Sequence, residues 1–113
     1  MDLNSYLPLS TVSFYILLSL VADAKHGYAI WKEVESQSNG LVKLSTSTLY
    51  DALERLLQQG LIERVKEESE ESGGRPRKKY HLTDLGRQVL VIDINRMRTL
   101  LDLVKPRFQE FLE

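Results

Sequence analysis

Hydroxyl groups crowd one short stretch of this chain: Ser45, Thr46, Ser47, Thr48 and Tyr50 fall within six residues, at the start of an apolar pattern made by Leu49, Ala52, Leu53, Leu56 and Leu57. Apolar positions at that spacing form one face of a helix, with Ser45 as its N-cap and Gly60 at its C-cap. The hydroxyls then lie on the first turns, where backbone N–H groups lack partners and the helix dipole is positive. Phosphate oxygens suit such a place. A capping serine among solvated neighbours is the plainer alternative. A second cluster, Arg75, Arg77, Lys78 and Lys79, puts four positive charges into five residues directly after Gly73-Gly74. The whole chain carries 15 Lys+Arg against 16 Asp+Glu, a formal net charge of -1, so this local excess stands out. Laid along a duplex, it would neutralise phosphates or enter a narrow minor groove. Pairing with Glu67, Glu68, Glu70 and Glu71 is its alternative. Tyr28 and Lys32 follow His26-Gly27 and would touch phosphate from a neighbouring helix, although Tyr28 and Trp31 also suit a core.

Other chemistries find little support. Cysteine is absent, which excludes disulfide scaffolds, thiolate zinc sites and cysteine nucleophiles and favours a reducing, cytoplasmic location. His26 and His81 are the only histidines, too few for a metal site without carboxylate help. Gly73-Gly74-Arg75 is followed by no Gly-Lys-Ser/Thr, so it is not a nucleotide-binding loop. There is no Gly-x-Ser-x-Gly motif or clear acid/base constellation. No catalytic residue, metal or cofactor is expected, and an enzyme is the poorest hypothesis.

The elements that must position these clusters come from periodicity. With 113 residues, 42% hydrophobic and 27% charged, the chain suits one folded domain. The N-terminus lacks the basic start of an export signal. The apolar run Phe14–Ala22 falls well short of the roughly 20 residues that span a bilayer, and no membrane association is expected. The spacing predicts a first helix near 9–22, a second from Gly27 to the Ser38-Asn39-Gly40 break, and the third from Ser45. Alternation in 61–66 and 77–82 predicts a hairpin with a polar tip over 67–74. Thr83 then caps a long helix, with Pro106 as a kink or early end. Three helices followed by a hairpin is the order of a winged helix-turn-helix, whose third helix enters the major groove, and it is also the order of other small α+β layouts.

In that last helix Leu90, Ile94, Met97, Leu101, Val104, Phe108 and Phe111 step by 4, 3, 4, 3, 4, 3. This is heptad spacing. Leu85, Val89 and Ile92 form a further set that faces the helix's own domain. The seam predicts self-association into a homodimer; a helix folded back on its own domain is the alternative.

Three blocks, in order, carry a resemblance: His26-Gly27-Tyr28-Ala29-Ile30, Ser45-Thr46-Ser47-Thr48-Leu49-Tyr50-Asp51-Ala52-Leu53-Glu54-Arg55-Leu56, and Gly74-Arg75-Pro76-Arg77-Lys78-Lys79-Tyr80-His81-Leu82-Thr83. With Gly60-Leu61-Ile62 between them, the sequence resembles the PadR family of bacterial transcriptional regulators over about residues 9–90, and in particular the smaller members with one helix beyond the wing. Two positions depart from the family's pattern: Ser47 stands where glycine is common, and Asp51 where proline is common. The resemblance implies an α+β, mainly helical fold: a winged helix over 1–84 and a dimerisation helix over 85–113, forming one structural unit. It implies a sequence-specific DNA-binding repressor, acting as a homodimer on a near-palindromic operator in double-stranded DNA. A winged helix used for protein contacts, without specific DNA binding, is the rival. Some relatives also bind phenolic acids or drugs near the dimer interface, so a small-molecule effector of unknown identity is a further expected partner. The aromatic sandwich of drug-binding relatives does not carry over, since the single tryptophan, Trp31, lies outside the last helix.

Overall fold

Caps decide where most helices of this chain begin. In the computed structural model, which describes residues 2–65 and 78–112, a short 3-10 helix at Leu3–Tyr6 precedes α1, Thr11–Ser19. The Ser13 N–H donates to Ser10 Oγ at 3.1 Å, the capping bond that starts α1. α1 ends at Ser19, before its apolar run does, where its last carbonyls find other partners: the Ser19 hydroxyl donates to Ile16 O at 2.7 Å, and the Lys25 ammonium donates to Ser19 O at 2.7 Å. Strand β1, Lys25–His26, leads into α2, Gly27–Gln37. α2 ends where Asn39 and Gly40 adopt positive φ and their N–H groups return to Ser36 O and Glu35 O, a Schellman closure.

α3 is Thr46–Gln58 and closes in the same way: Gly60, at φ 74°, donates to Leu57 O, and Leu61 donates to Leu56 O. β2, Ile62–Val65, and β3, Lys79–Leu82, follow, and then α4, Asp84–Phe108. Among the described residues the sheet has three strands in the order β1-β3-β2, both pairings antiparallel. The hairpin was expected; its third strand was not, because two residues carry no period. The expected tip over 67–74 lies outside the described residues.

One core joins α1, α2, α3, β2, β3 and the first turns of α4. Ile16, Leu17, Ile30, Leu53, Leu56, Leu61, Ile62, Val89 and Leu90 are all at most 2% exposed. Each side chain of that kind contributes about 1.5–3 kcal/mol on burial. Thr83 ties the end of α3 to the start of α4: its hydroxyl donates to Gly60 O at 2.7 Å and accepts from the Gly86 N–H at 3.0 Å. A Cβ at Gly86 would stand 2.1 Å from Leu61 O, so only glycine lets α4 pass this close to the backbone. The architecture is a winged helix-turn-helix with a long C-terminal helix.

The heptad seam is divided by this packing. Leu90 is 2% exposed and belongs to the domain core, so the expectation that it faces a partner subunit is corrected here; Ile94 packs half-buried against that core. The reason is reach: the first turns of α4 run across α1 and the sheet, so their apolar side already has a surface to cover. Met97, Leu101, Val104 and Phe108 lie beyond that surface and are exposed, and Phe111, 73% exposed, sits past the helix in a 3-10 turn, Gln109–Phe111. Pro106 lies inside α4, which continues to Phe108. The radius of gyration is 16.3 Å, against about 13 Å for a sphere-like domain of this length.

Candidate nucleic-acid interface

The recognition candidate is the start of α3, and the chain presents it through a tryptophan. Trp31, half-buried on α2, donates its indole N–H to Leu44 O at 2.9 Å, which pins the connection just before the Ser45 cap. From there the apolar face of α3, Leu49, Ala52, Leu53 and Leu56, is buried, and its polar face is forced outward.

The hydroxyl cluster divides by role. Ser45 Oγ accepts from the Thr48 N–H at 3.1 Å and donates to Thr48 Oγ1 at 2.9 Å; these two side chains close the cap. Thr46 and Ser47 are exposed on the first turn, with Ser47 Oγ 3.3 Å from Ser45 Oγ. Tyr50 leans back over the start of α2: a Cβ at Gly27 would meet its hydroxyl at 2.7 Å. A side chain at Gly27 would therefore have to push the end of the Tyr50 ring aside.

Tyr28 and Lys32 join the same face. Tyr28, Trp31, Thr46, Leu49 and Tyr50 line one cleft of about 250 Å³. Tyr28 is 64% exposed, its ring 5.7 Å from that of Trp31, and the Lys32 ammonium sits 5.4 Å from the Tyr28 ring centre. Aromatic edge, ammonium and hydroxyls thus converge beside the α3 N-terminus, a surface able to grip an anionic backbone.

The basic arm is seen in part. Arg75 and Arg77 lie outside the described residues. Lys78 is exposed, and Lys79 is half-buried in β3. Register decides their sides. Arg64 pairs with Tyr80 and Ile62 with Leu82, whereas Val65 pairs with Lys79 and Glu63 with His81. Side chains alternate along a strand, so Arg64 shares a sheet face with buried Tyr80, Ile62 and Leu82, and Lys79 points to the other. His81 and Glu63 meet on that other face, Nε2 to Oε2 at 3.1 Å.

Arg64 escaped the sequence reading. Its guanidinium lies 3.4 Å from Glu54 Oε2 on α3 and beside the Tyr80 hydroxyl, which burial pushes above its ordinary range while Arg64 pulls the other way. No sequence signal marked it, since a lone arginine in a strand does not reveal which face meets a helix. Lys43, exposed in the segment leading to α3, was passed over in the same way.

A family model described as the transcriptional regulator PadR-like family matches residues 16–91. Among solved structures, a PadR family transcription regulator from Clostridium difficile R20291 is 28% identical, with 86% of this chain and 97% of that chain covered and a TM-score of 0.71. A Streptococcus mutans UA159 protein is 29% identical over 94% of each chain, with a TM-score of 0.62. Bacillus subtilis PadR, solved in complex with operator DNA, is 26% identical over 74% of this chain and 46% of its own, with a TM-score of 0.60. None of the curated proteins matches.

Proposed function

The chain belongs to the PadR-like family of transcriptional regulators, and from that premise we propose that it is a cytoplasmic repressor that binds a near-palindromic operator as a homodimer. The observation that carries the reading is the exposed, hydroxyl-rich start of α3 flanked by Tyr28 and Lys32, in a fold whose Bacillus subtilis relative is solved with operator DNA. The N-terminal end of α3 enters the major groove. There Thr46, Ser47 and Tyr50 face bases and phosphates, while Ser45 and Thr48 hold the helix start in shape. Tyr28 and Lys32 touch the backbone from α2. Arg75, Arg77, Lys78 and Lys79 lie along the flanking phosphates, which supply affinity without sequence information.

The exposed end of α4 supports the dimer. Met97, Leu101, Val104 and Phe108 form an apolar stripe that a solvated single chain leaves wet, and such stripes mark interfaces. A two-fold pairing through it sets two α3 helices about 34–36 Å apart, one turn of B-DNA. Occupying the operator then denies it to polymerase.

The test is binding to duplexes from the protein's own promoter region across a salt series. Specific binding that weakens steeply with salt is expected, with Thr46→Ala and Ser47→Ala each losing about 1.5–3 kcal/mol of affinity at unchanged melting temperature. Binding that is salt-insensitive, or equal for both variants and the parent, overturns the reading.

A further inference from the structure

The exposed face of α3 carries a contradiction. Ser47, Asp51, Glu54 and Gln58 recur at helical spacing and are exposed, opposite the buried Leu49, Leu53 and Leu56. Two of these four are carboxylates, on the face that the proposed function turns toward a polyanion. Like charges there oppose binding. The structure supplies a counter-charge for one of them from outside the helix: Arg64 of β2 reaches Glu54 Oε2 at 3.4 Å, with both side chains about half exposed, 51% and 57%.

We propose that Arg64 is a phosphate-binding residue of the interface, held in the unbound protein by Glu54, which occupies the guanidinium until a backbone phosphate of the duplex replaces it. This rests on the DNA-binding reading above and adds to it a residue and an exchange.

Three observations support the exchange. Arg64 is set on the sheet face shared with Ile62, Tyr80 and Leu82, so it projects toward α3 rather than away from it. The buried Tyr80, 2% exposed, holds its hydroxyl beside the guanidinium and gives it a second neighbour, while about half of the arginine side chain stays in water. Finally, the pair is solvent-exposed and long, and exposed pairs of this kind are weak. Arginine binds phosphate through the same planar fork that it offers to a carboxylate. Exchanging one for the other therefore costs little and releases a condensed counterion from the duplex.

The experiment measures binding of the intact protein to a mixed-sequence duplex between 50 and 200 mM salt for the parent, Arg64→Ala, Arg64→Lys, Glu54→Gln and the Glu54→Gln/Arg64→Ala pair, with Glu63→Gln on the other sheet face as a general charge control. Arg64→Ala should reduce the slope of log K against log salt by about 0.9, one phosphate's worth, and Arg64→Lys should restore most of it. Glu54→Gln should tighten binding several-fold, more than Glu63→Gln does, and its gain should shrink when Arg64 is absent. An unchanged slope in Arg64→Ala overturns the assignment. A gain from Glu54→Gln that grows when Arg64 is absent also overturns it, because the pair would then stay intact on DNA as a fixed neutraliser. Melting curves of each variant show whether the fold is retained. If the parent itself shows no salt-dependent binding, the DNA-binding reading fails and this inference with it; a parent that binds while Arg64 makes no difference sinks this inference alone.

Discussion

α3 and the outer half of α4 are both amphipathic helices, yet the structure treats their apolar faces in opposite ways. The apolar face of α3 is buried among α1, α2 and the sheet, so its polar face is what the molecule offers outward. In α4 the stripe from Met97 to Phe108 is itself exposed, and the helix ends in water on all sides. Sequence pattern is the same kind of evidence in both cases. The difference is distance from the core: α3 sits in the middle of the chain's own contacts, while α4 outruns them at about Arg96. Amphipathicity therefore says that a face will be buried, and only the surroundings say against what.

That contrast can be broken first by Leu53→Ala. Leu53 is 1% exposed in the core, and truncating it should cost about 3 kcal/mol of stability, read by chemical denaturation of dilute protein. A loss below about 1 kcal/mol would mean that the buried face of α3 is packed more loosely than the structure shows. Leu101→Glu tests the other region. It should leave the fold of dilute protein within about 0.5 kcal/mol and shift sedimentation at micromolar concentration from two chains to one. A parent that already sediments as one chain would mean that the stripe serves some other contact.

The smallest expected effect sharpens the role of the sheet beneath α3. Burial raises the Tyr80 hydroxyl's pKa above its usual 10.0 in the folded protein. The unfolded chain therefore loses that proton first as pH rises, and stability falls with pH in that range. The contribution is complete below about pH 10 and declines above it. Tyr80→Phe should flatten the alkaline arm of the stability profile while leaving it unchanged near neutrality; an identical arm in the variant would show that Tyr80 is not what titrates.

Much of the fold is legible in the sequence. Ser45, Thr83 and Gly60 announced helix ends because capping and left-handed closure depend on one or two neighbouring residues, which local sequence contains in full. The apolar set of α3 and the break at Ser38-Asn39-Gly40 were legible for the same reason. β1 was not: two residues have no period, and Lys25 and His26 form a strand only because β3 lies alongside. Division of the hydroxyls was equally hidden, since Ser45 and Thr48 close the cap on each other while Ser47 meets the Ser45 hydroxyl from its rim and Thr46 is exposed beside them.

By itself the sequence determined the order of elements, the caps, the spacing of the apolar seam and the two clusters fit for phosphate, because each depends on residues close together in the chain. Tertiary structure decided what those patterns meet. It assigned Leu90 to the domain's own core and set Ile94 half-buried against it, drew Tyr50 over Gly27 and brought Arg64 to Glu54. These are contacts between segments ten or more residues apart, or between faces whose direction depends on strand register and helix crossing. Periodicity fixes which residues share a side; the packing of the whole chain fixes where that side points.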